Sequence, residues 1–144
     1  MDPKRLEKLR WLAELRVDKA ARQLAEHQQR IRETTQQIED FQQFKAMSEA
    51  PLREHETLNA AGLRARQNRL GFLKKLESAI EASARKLDNQ RSDHDRAEDL
   101  WRLQRQKEQG LESLVDSARD ALERADTQRA DRDATEQWRH TRPR

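Results

Sequence analysis

Cysteine is absent from this chain of 144 residues, so disulfide bonds and thiolate metal sites are excluded. Aromatic residues make up only 4% of the chain, less than a compact domain of this length normally carries. Three glycines and three prolines leave few places where a helix has to break. No apolar run approaches the roughly 20 residues that span a bilayer. We therefore expect neither a membrane span nor a Sec-type signal peptide.

Charge, by contrast, is abundant and balanced. Charged residues form 40% of the chain, and 30 basic residues nearly balance 27 acidic ones, for a net charge of +3. Low hydropathy with high charge often indicates disorder. Here the two signs are interspersed and the apolar residues recur periodically, which predicts long, exposed helices instead. The pI of about 9.5 indicates no more than a mild preference for acidic partners.

The apolar residues of the second half recur in alternating steps of three and four, the period of a coiled coil. Such a repeat places one narrow apolar seam along a helix, which needs another helix to cover it. The heptad pattern continues almost unbroken over sixteen positions, of which these eleven are apolar: Leu73, Leu76, Ile80, Leu87, Ala97, Trp101, Leu111, Val115, Ala118, Leu122 and Ala125.

A second seam is readable in the first half, from about Leu6 to Phe41. After it comes Pro51, which lacks a backbone N–H and disfavours helix at the preceding residue. We therefore predict one helix over about 4–47, a bend over about 48–58, and a second helix over about 58–138. The positions of the first seam fall in two rows: Arg10, Val17, Leu24, Ile31 and Ile38, and Leu6, Ala13, Ala20, His27, Thr34 and Phe41.

A short connection between two seamed helices favours an antiparallel hairpin. The predicted fold is all-α: a single coiled-coil domain over 1–144, in which two long helices form an antiparallel hairpin and the second overhangs the first. With a turn near residue 55, residue i would face about residue 110 minus i. About 30 residues of the second helix would then have no partner in the chain, which indicates a second protein as their cover.

Aromatic and small residues on one face near the bend form a candidate docking surface. On the first helix the spacing of four and three places Gln37, Phe41 and Phe44 on one face, and the second helix repeats it with Phe72, Leu76 and Ala79. The proposed pairing puts Phe41 and Phe72 at nearly the same level. The alternative is a slightly widened hydrophobic core near the turn, and the residues alone do not decide between them.

Nothing in the chain resembles a catalytic constellation. A glycine-rich phosphate loop, a GxSxG elbow and an HExxH motif are all missing. His27 and His94 occupy seam positions, where polar residues set register, and we expect no three or four metal ligands to converge. The sequence predicts no enzymatic activity, no catalytic or metal site and no cofactor.

Three segments carry a resemblance to a known family. The segments VDKAARQLAEHQQRIRETTQQIEDFQQF, NRLGFLKKLESAI and AEDLWRLQRQKEQGLE resemble the flagellar export protein family FliJ, in this order and at this spacing. The resemblance extends from about Leu9 to the C-terminus. The related injectisome family of the YscO type has the same general shape and is the alternative.

The resemblance implies a cytoplasmic stalk of a type III export apparatus, located at the inner membrane through its partners and monomeric by itself. Its partners would be a FliI-like export ATPase hexamer, an FlhA-like export gate in the membrane, and export chaperones. The family's gate-binding positions fall on Gln37, Phe41, Phe44, Phe72, Leu76 and Ala79. Two further gate positions fall on Ser48 and Ser83, whose small polar side chains depart from the family pattern.

The ATPase-facing end would be formed by the overhanging part of the second helix together with the N-terminus. The seam residues expected there are Trp101, Leu111, Val115, Ala118, Leu122 and Ala125.

Two other readings compete with the export stalk. The first is a generic coiled-coil scaffold that dimerises through the overhang. The second is a nucleic-acid-binding coiled coil, suggested by a local excess of basic residues between Arg64 and Lys86. Glu77 and Glu81 interrupt that excess, and no base-stacking aromatic residues or binding motif accompany it. We therefore expect no nucleic-acid partner.

Overall fold

Two long helices make up the described part of the protein. The structure is a computed structural model that describes residues 2–54 and 60–141. Helix α1 comprises Pro3–Glu54 and helix α2 comprises Ala60–Thr141, and no strand occurs in either described range. The all-α prediction is confirmed, as is the packing of two long helices against each other in antiparallel order.

Helix α1 begins with a defined cap. The Asp2 carboxylate accepts a hydrogen bond from the backbone N–H of Lys4 at 3.1 Å, and the Asp2 carbonyl accepts from Arg5 and Leu6. An aspartate at this position satisfies N–H groups that have no partner within the helix. Pro3 then occupies the first helical position, where its missing N–H costs nothing.

The end of α1 differs from the prediction. The helix continues past residue 47, through Pro51, and ends at Glu54, while α2 begins at Ala60 and ends at Thr141. Pro51 removes one hydrogen bond close to the helix end, where few bonds depend on it. The predicted bend over 48–58 is therefore wrong as far as residue 54, and its remainder falls mostly on residues 55–59, outside the described ranges.

The helices divide into two compact units, each formed by a stretch of α1 and a stretch of α2. Unit 1 consists of Met1–Ala21 and Leu100–Arg144, and unit 2 of Arg22–Asp99. In unit 2 the buried positions are Thr34, Leu73, Leu76 and Ser83. Lys45 Nζ lies 3.6 Å from Glu77 Oε1 across the two helices and fixes their pairing there.

Unit 1 has its own core and its own ion pairs. Leu6, Ala13 and Ala20 of α1 are buried, and Val115 of α2 is completely inaccessible to solvent, at 0%. Arg10 lies 3.5 Å from Glu112 across the helices. Nearer the start of α1, Arg119 is paired with Glu7. Every predicted seam position of α2 from Leu73 to Ala118 is buried or half-buried, so the heptad seam is confirmed over that range.

The pairing of residues across the helices corrects the predicted register. Arg10 with Glu112 and Lys45 with Glu77 place residue i level with about residue 122 minus i, not 110 minus i. The register differs because α1 continues beyond the position where the bend was expected. As a result α1 covers α2 as far as Arg119, and every side chain from 121 to 141 is exposed.

Candidate functional site

The predicted gate-binding residues all lie in unit 2, and they divide by burial. Phe44 is 53% exposed and Phe72 is 48% exposed, whereas Leu76 is buried at 7%. Phe41 and Ala79 are half-buried, and Gln37 is exposed. The structure therefore supports the hydrophobic-core interpretation for some of these residues and the docking-surface interpretation for others. Leu76 belongs to the core, while Phe44 and Phe72 form surface that a partner can contact.

These exposed residues lie on one flank of unit 2. Gln37 of α1 and Lys86 of α2 line the same groove between the helices, which has a volume of about 960 Å³. Phe44 follows Gln37 by seven residues, and Phe72 precedes Lys86 by fourteen, so each pair shares a helix face. We name this side, defined by Gln37, Phe44, Phe72, Ala79 and Lys86, the aromatic flank.

The two phenylalanines predicted to face each other do not. The pair of Lys45 with Glu77 places Phe41 level with about residue 81, and Phe72 level with about residue 50. Phe41 and Phe72 are thus separated by about nine residues along the helices, or roughly 14 Å at 1.5 Å per residue. The error follows from the misplaced turn. Phe72 instead comes level with the last part of α1, three residues in the register from Met47, whose side chain is 70% exposed.

The predicted ATPase-facing residues all lie in unit 1, and most of them are not on an overhang. Val115 is fully buried, and Trp101, Leu111 and Ala118 are half-buried. The expectation that α1 is too short to cover them is wrong, because α1 reaches the level of Arg119. Leu122 and Ala125 are exposed, and they alone of the six continue the seam beyond the cover of α1.

Two arginine side chains make defined contacts in the part of unit 1 where α1 covers α2. The guanidinium of Arg105 lies 5.3 Å from the ring centre of Trp101, within the range of a cation–π interaction. Arg119 Nε donates to Glu7 Oε1 at 3.1 Å. That hydrogen bond, and next the attraction of the same carboxylate, raise the pKa of Arg119, with a smaller contribution from Asp116. The cation is therefore held in its charged form at the limit of the covered seam.

One cluster of potential metal ligands lies on α2. His94 Nδ1 is 3.3 Å from Asp95 Oδ1, and with Glu98 the ligand atoms of the three residues lie within 4.8 Å of one another. The expectation that no three ligands converge is thus corrected. All three come from one turn of one helix, and Asp95 is 77% exposed. Exposed groups of this kind are commonly explained by ion pairing alone, and we assign no metal to them.

Sequence reasoning missed three leucines that lie off the seam: Leu9 and Leu12 of α1 and Leu114 of α2. Together with the seam residue Leu111 they line a groove of about 440 Å³ in unit 1. We name it the leucine groove. The signal was present in the segment LRWLAEL, where four large apolar residues fall on positions that the seam does not use. A search restricted to seam positions passes over them.

The chain matches the family described as "Flagellar FliJ protein" over residues 2–139, nearly its whole length. The chain therefore belongs to the FliJ family, a family of flagellar export proteins that are non-catalytic components. A comparison with curated proteins finds no match.

Neither helix, over the described residues, is long and apolar enough to cross a membrane.

Proposed function

We propose that this protein is a non-enzymatic coupling component of a flagellar type III export apparatus. In this role it binds the export gate through the aromatic flank of unit 2 and the export ATPase ring through the uncovered part of α2. It also serves as a contact for export chaperones. The proposal rests on membership of the FliJ family together with one observation, the presence of a separate exposed apolar surface in each unit.

The aromatic flank has the composition of a binding surface. Phe44 and Phe72 keep about half of their area in water although both are large and apolar. Aromatic side chains in this situation are enriched among the residues that dominate protein–protein affinity. Gln37 and Lys86 of the same flank line a polar groove, and both can donate hydrogen bonds to a partner.

The gate contact is tested with the cytoplasmic part of the partner gate protein and the full chain. We expect Phe44→Ala with Phe72→Ala to weaken binding by roughly tenfold or more, since hot-spot aromatics each contribute upward of about 1–2 kcal/mol. Leu70→Ala is the matched control, because Leu70 is also exposed, at 44%, and lies two residues before Phe72. Equal affinity of the double variant and the control would contradict the gate assignment.

The ATPase contact is assigned to the uncovered seam. Leu122 is 54% exposed, and Ala125 follows it three residues later on the same face. The seam period continues here although α1 no longer covers it, so a partner helix or ring surface can bury these residues in the way that α1 buries Val115. Burial of an exposed leucine is worth about 1.5–3 kcal/mol.

Stimulation of the partner ATPase measures this contact. We expect Leu122→Asp to reduce stimulation strongly, because it places a charge where an apolar contact is required. Ala121→Asp introduces the same charge one residue away, off the seam, and should leave stimulation nearly unchanged. If both variants stimulate equally well, the ATPase site lies elsewhere in the chain.

The exposed seam also suits a homodimer, which is the main alternative. A scaffold that pairs through Leu122 and Ala125 would be dimeric at micromolar concentration, whereas the coupling protein is expected to be monomeric. Sedimentation equilibrium distinguishes the two. A dimer that Leu122→Asp dissociates would replace the coupling role with that of a scaffold.

A further inference from the structure

The leucine groove of unit 1 differs from the aromatic flank and from the uncovered seam, and neither proposed contact uses it as a whole. Its apolar lining consists of Leu9, Leu12 and Ala13 from α1 with Leu111 and Leu114 from α2. Leu9, Leu12 and Leu114 are 39%, 44% and 55% exposed. The groove is therefore an open apolar channel between two packed helices, and a third helix could occupy it.

A glycine opens the channel. Gly110 lines the groove, and a Cβ added there would meet nothing within 4 Å. The empty space beside Gly110 can therefore accept a side chain that a partner inserts.

The charges of the groove have one sign. Its charged lining residues are Arg16 and Lys107, and no carboxylate lines it. Within the described residues, neither of these two cations forms an ion pair. Two other arginines of unit 1 are paired, Arg10 with Glu14 and Glu112, and Arg119 with Glu7. The groove thus keeps apolar surface and two unpaired cations together.

The apolar surface extends beyond the groove along α2. Leu100, Leu103, Lys107 and Leu114 are spaced three, four and seven apart, so they lie on one face. Leu100 and Leu103 are 43% and 46% exposed. The fifteen residues from Leu100 to Leu114 span roughly 21 Å of helix. A partner helix of four turns matches that length.

We propose that the leucine groove binds an acidic amphipathic helix of a partner protein. Leucine-type side chains of that helix, repeating every three and four residues, fill the channel beside Gly110. Carboxylates that flank this apolar stripe pair with Arg16 and Lys107. Charge complementarity selects the acidic helix over a basic one. The inference does not require the proposed ATPase contact, which depends on Leu122 and is tested separately.

The direct test uses a designed fluorescent peptide of about 20 residues, the length that spans the face. Its leucines repeat every three and four positions, and glutamates flank them. A matched peptide carries lysine in place of every glutamate. Fluorescence anisotropy with the full chain should show saturable binding of the acidic peptide and at least roughly tenfold weaker binding of the basic one. Absence of saturable binding by the acidic peptide overturns the proposal.

Charge reversal makes the test specific to the groove. Arg16→Glu with Lys107→Glu should invert the preference, so that the basic peptide binds better. Arg129→Glu with Arg132→Glu changes the net charge equally on the uncovered part of α2 and should preserve the original preference. A loss of acidic-peptide binding that is equal in both double variants would show a general charge effect and contradict the groove.

A larger side chain at position 110 tests whether the groove can be blocked without loss of the folded structure. Gly110→Leu fills the channel while it replaces a helix-destabilising glycine, so it should bind the acidic peptide at least about tenfold more weakly without loss of helicity. Gly110→Ala leaves most of the space and should bind normally. Unchanged peptide affinity of Gly110→Leu overturns the proposal.

Other occupants are outcomes of the same experiments. If the full chain is a dimer that Leu12→Ser with Leu114→Ser dissociates, the groove binds a second copy and the proposal fails. If a short DNA duplex displaces the acidic peptide from the wild-type chain, the site recognises polyanions, and the proposal again fails.

Discussion

Arg119 of α2 donates hydrogen bonds to the Glu7 carboxylate of α1, 112 positions away in the sequence. This pair marks the last level at which α1 accompanies α2 in unit 1. Val115, one turn before Arg119, is inaccessible to solvent, while Leu122, three residues after it, is 54% exposed. About two turns of helix thus separate a seam residue that is buried within the chain from one that remains free for a partner.

A charge swap tests whether this pair holds the start of α1. Glu7→Arg or Arg119→Glu alone should lower the melting temperature, because each places two like charges opposite each other, and the double swap should restore much of the loss. The restoration should weaken with added salt, since the pair is on the surface. Thermal unfolding followed by circular dichroism measures it. Arg129→Glu, which lies beyond the cover of α1, is the control and should change little.

The pH dependence of this pair follows from the raised pKa of Arg119. A base whose pKa is raised on folding contributes stability below its unfolded pKa and loses it only above its folded pKa. Both values lie above the range in which the protein would be studied. We therefore expect the coupling measured in the swap cycle to be the same at about pH 7 and about pH 9. A coupling that disappears by pH 9 would show that Arg119 is not its source.

Truncation of the seam should distinguish Val115 from Leu122. Val115→Ala is expected to lower the free energy of unfolding by about 2 kcal/mol, through lost burial and a residual cavity. Leu122→Ala should change it by less than about 0.5 kcal/mol, because the side chain is exposed. Urea unfolding measures both. A large loss for Leu122→Ala would indicate that this residue is buried in a dimer.

In unit 2, an alanine substitution should lower the free energy of unfolding more at Leu76 than at Phe72. Leu76→Ala removes a buried side chain and should cost about 2–5 kcal/mol of unfolding free energy. Phe72→Ala removes a side chain that is half in water, and it should cost much less while it weakens gate binding. If denaturant unfolding shows a larger loss of stability for Phe72→Ala than for Leu76→Ala, then Phe72, not Leu76, belongs to the core.

Two glycines inside α2 offer a stabilising substitution. A Cβ at Gly71 or Gly110 would meet nothing within 4 Å, so alanine fits at either position without displacement. Gly71→Ala and Gly110→Ala should each raise the free energy of unfolding by about 0.5–1 kcal/mol, because glycine is a poor helix former. Destabilisation by Gly110→Ala in urea titration would mean that the groove is closed by a contact in solution.

The seam could be predicted from the sequence because burial in a two-helix structure follows the heptad period. That period correctly placed Leu6, Ala13 and Leu73 among the buried residues. The register could not be predicted in the same way, because it depends on where the turn lies. Pro51 was expected to end α1, but loss of one hydrogen bond near a helix end is a small cost, and the helix continues to Glu54.

Candidate surfaces were predicted less well than the core, for a related reason. A heptad assigns residues to the seam but does not say how far the partner helix extends, so Val115 was placed on an overhang that begins only after Arg119. Off-seam residues such as Leu12 and Leu114 are missed when only the period of the seam is followed. Their significance depends on two stretches of chain meeting in unit 1, which only the structure shows.

The central claim is that one chain bridges the export ATPase and the export gate through separate surfaces. The most direct measurement is co-sedimentation of the soluble gate domain with the assembled ATPase ring, with and without this protein. We predict that the gate domain sediments with the ring only when the protein is present. Phe44→Ala with Phe72→Ala should leave the protein on the ring but lose the gate domain, and Leu122→Asp should leave gate binding intact but lose the ring. Sedimentation of the gate domain that is unchanged by either variant, or equally strong without the protein, would contradict the account.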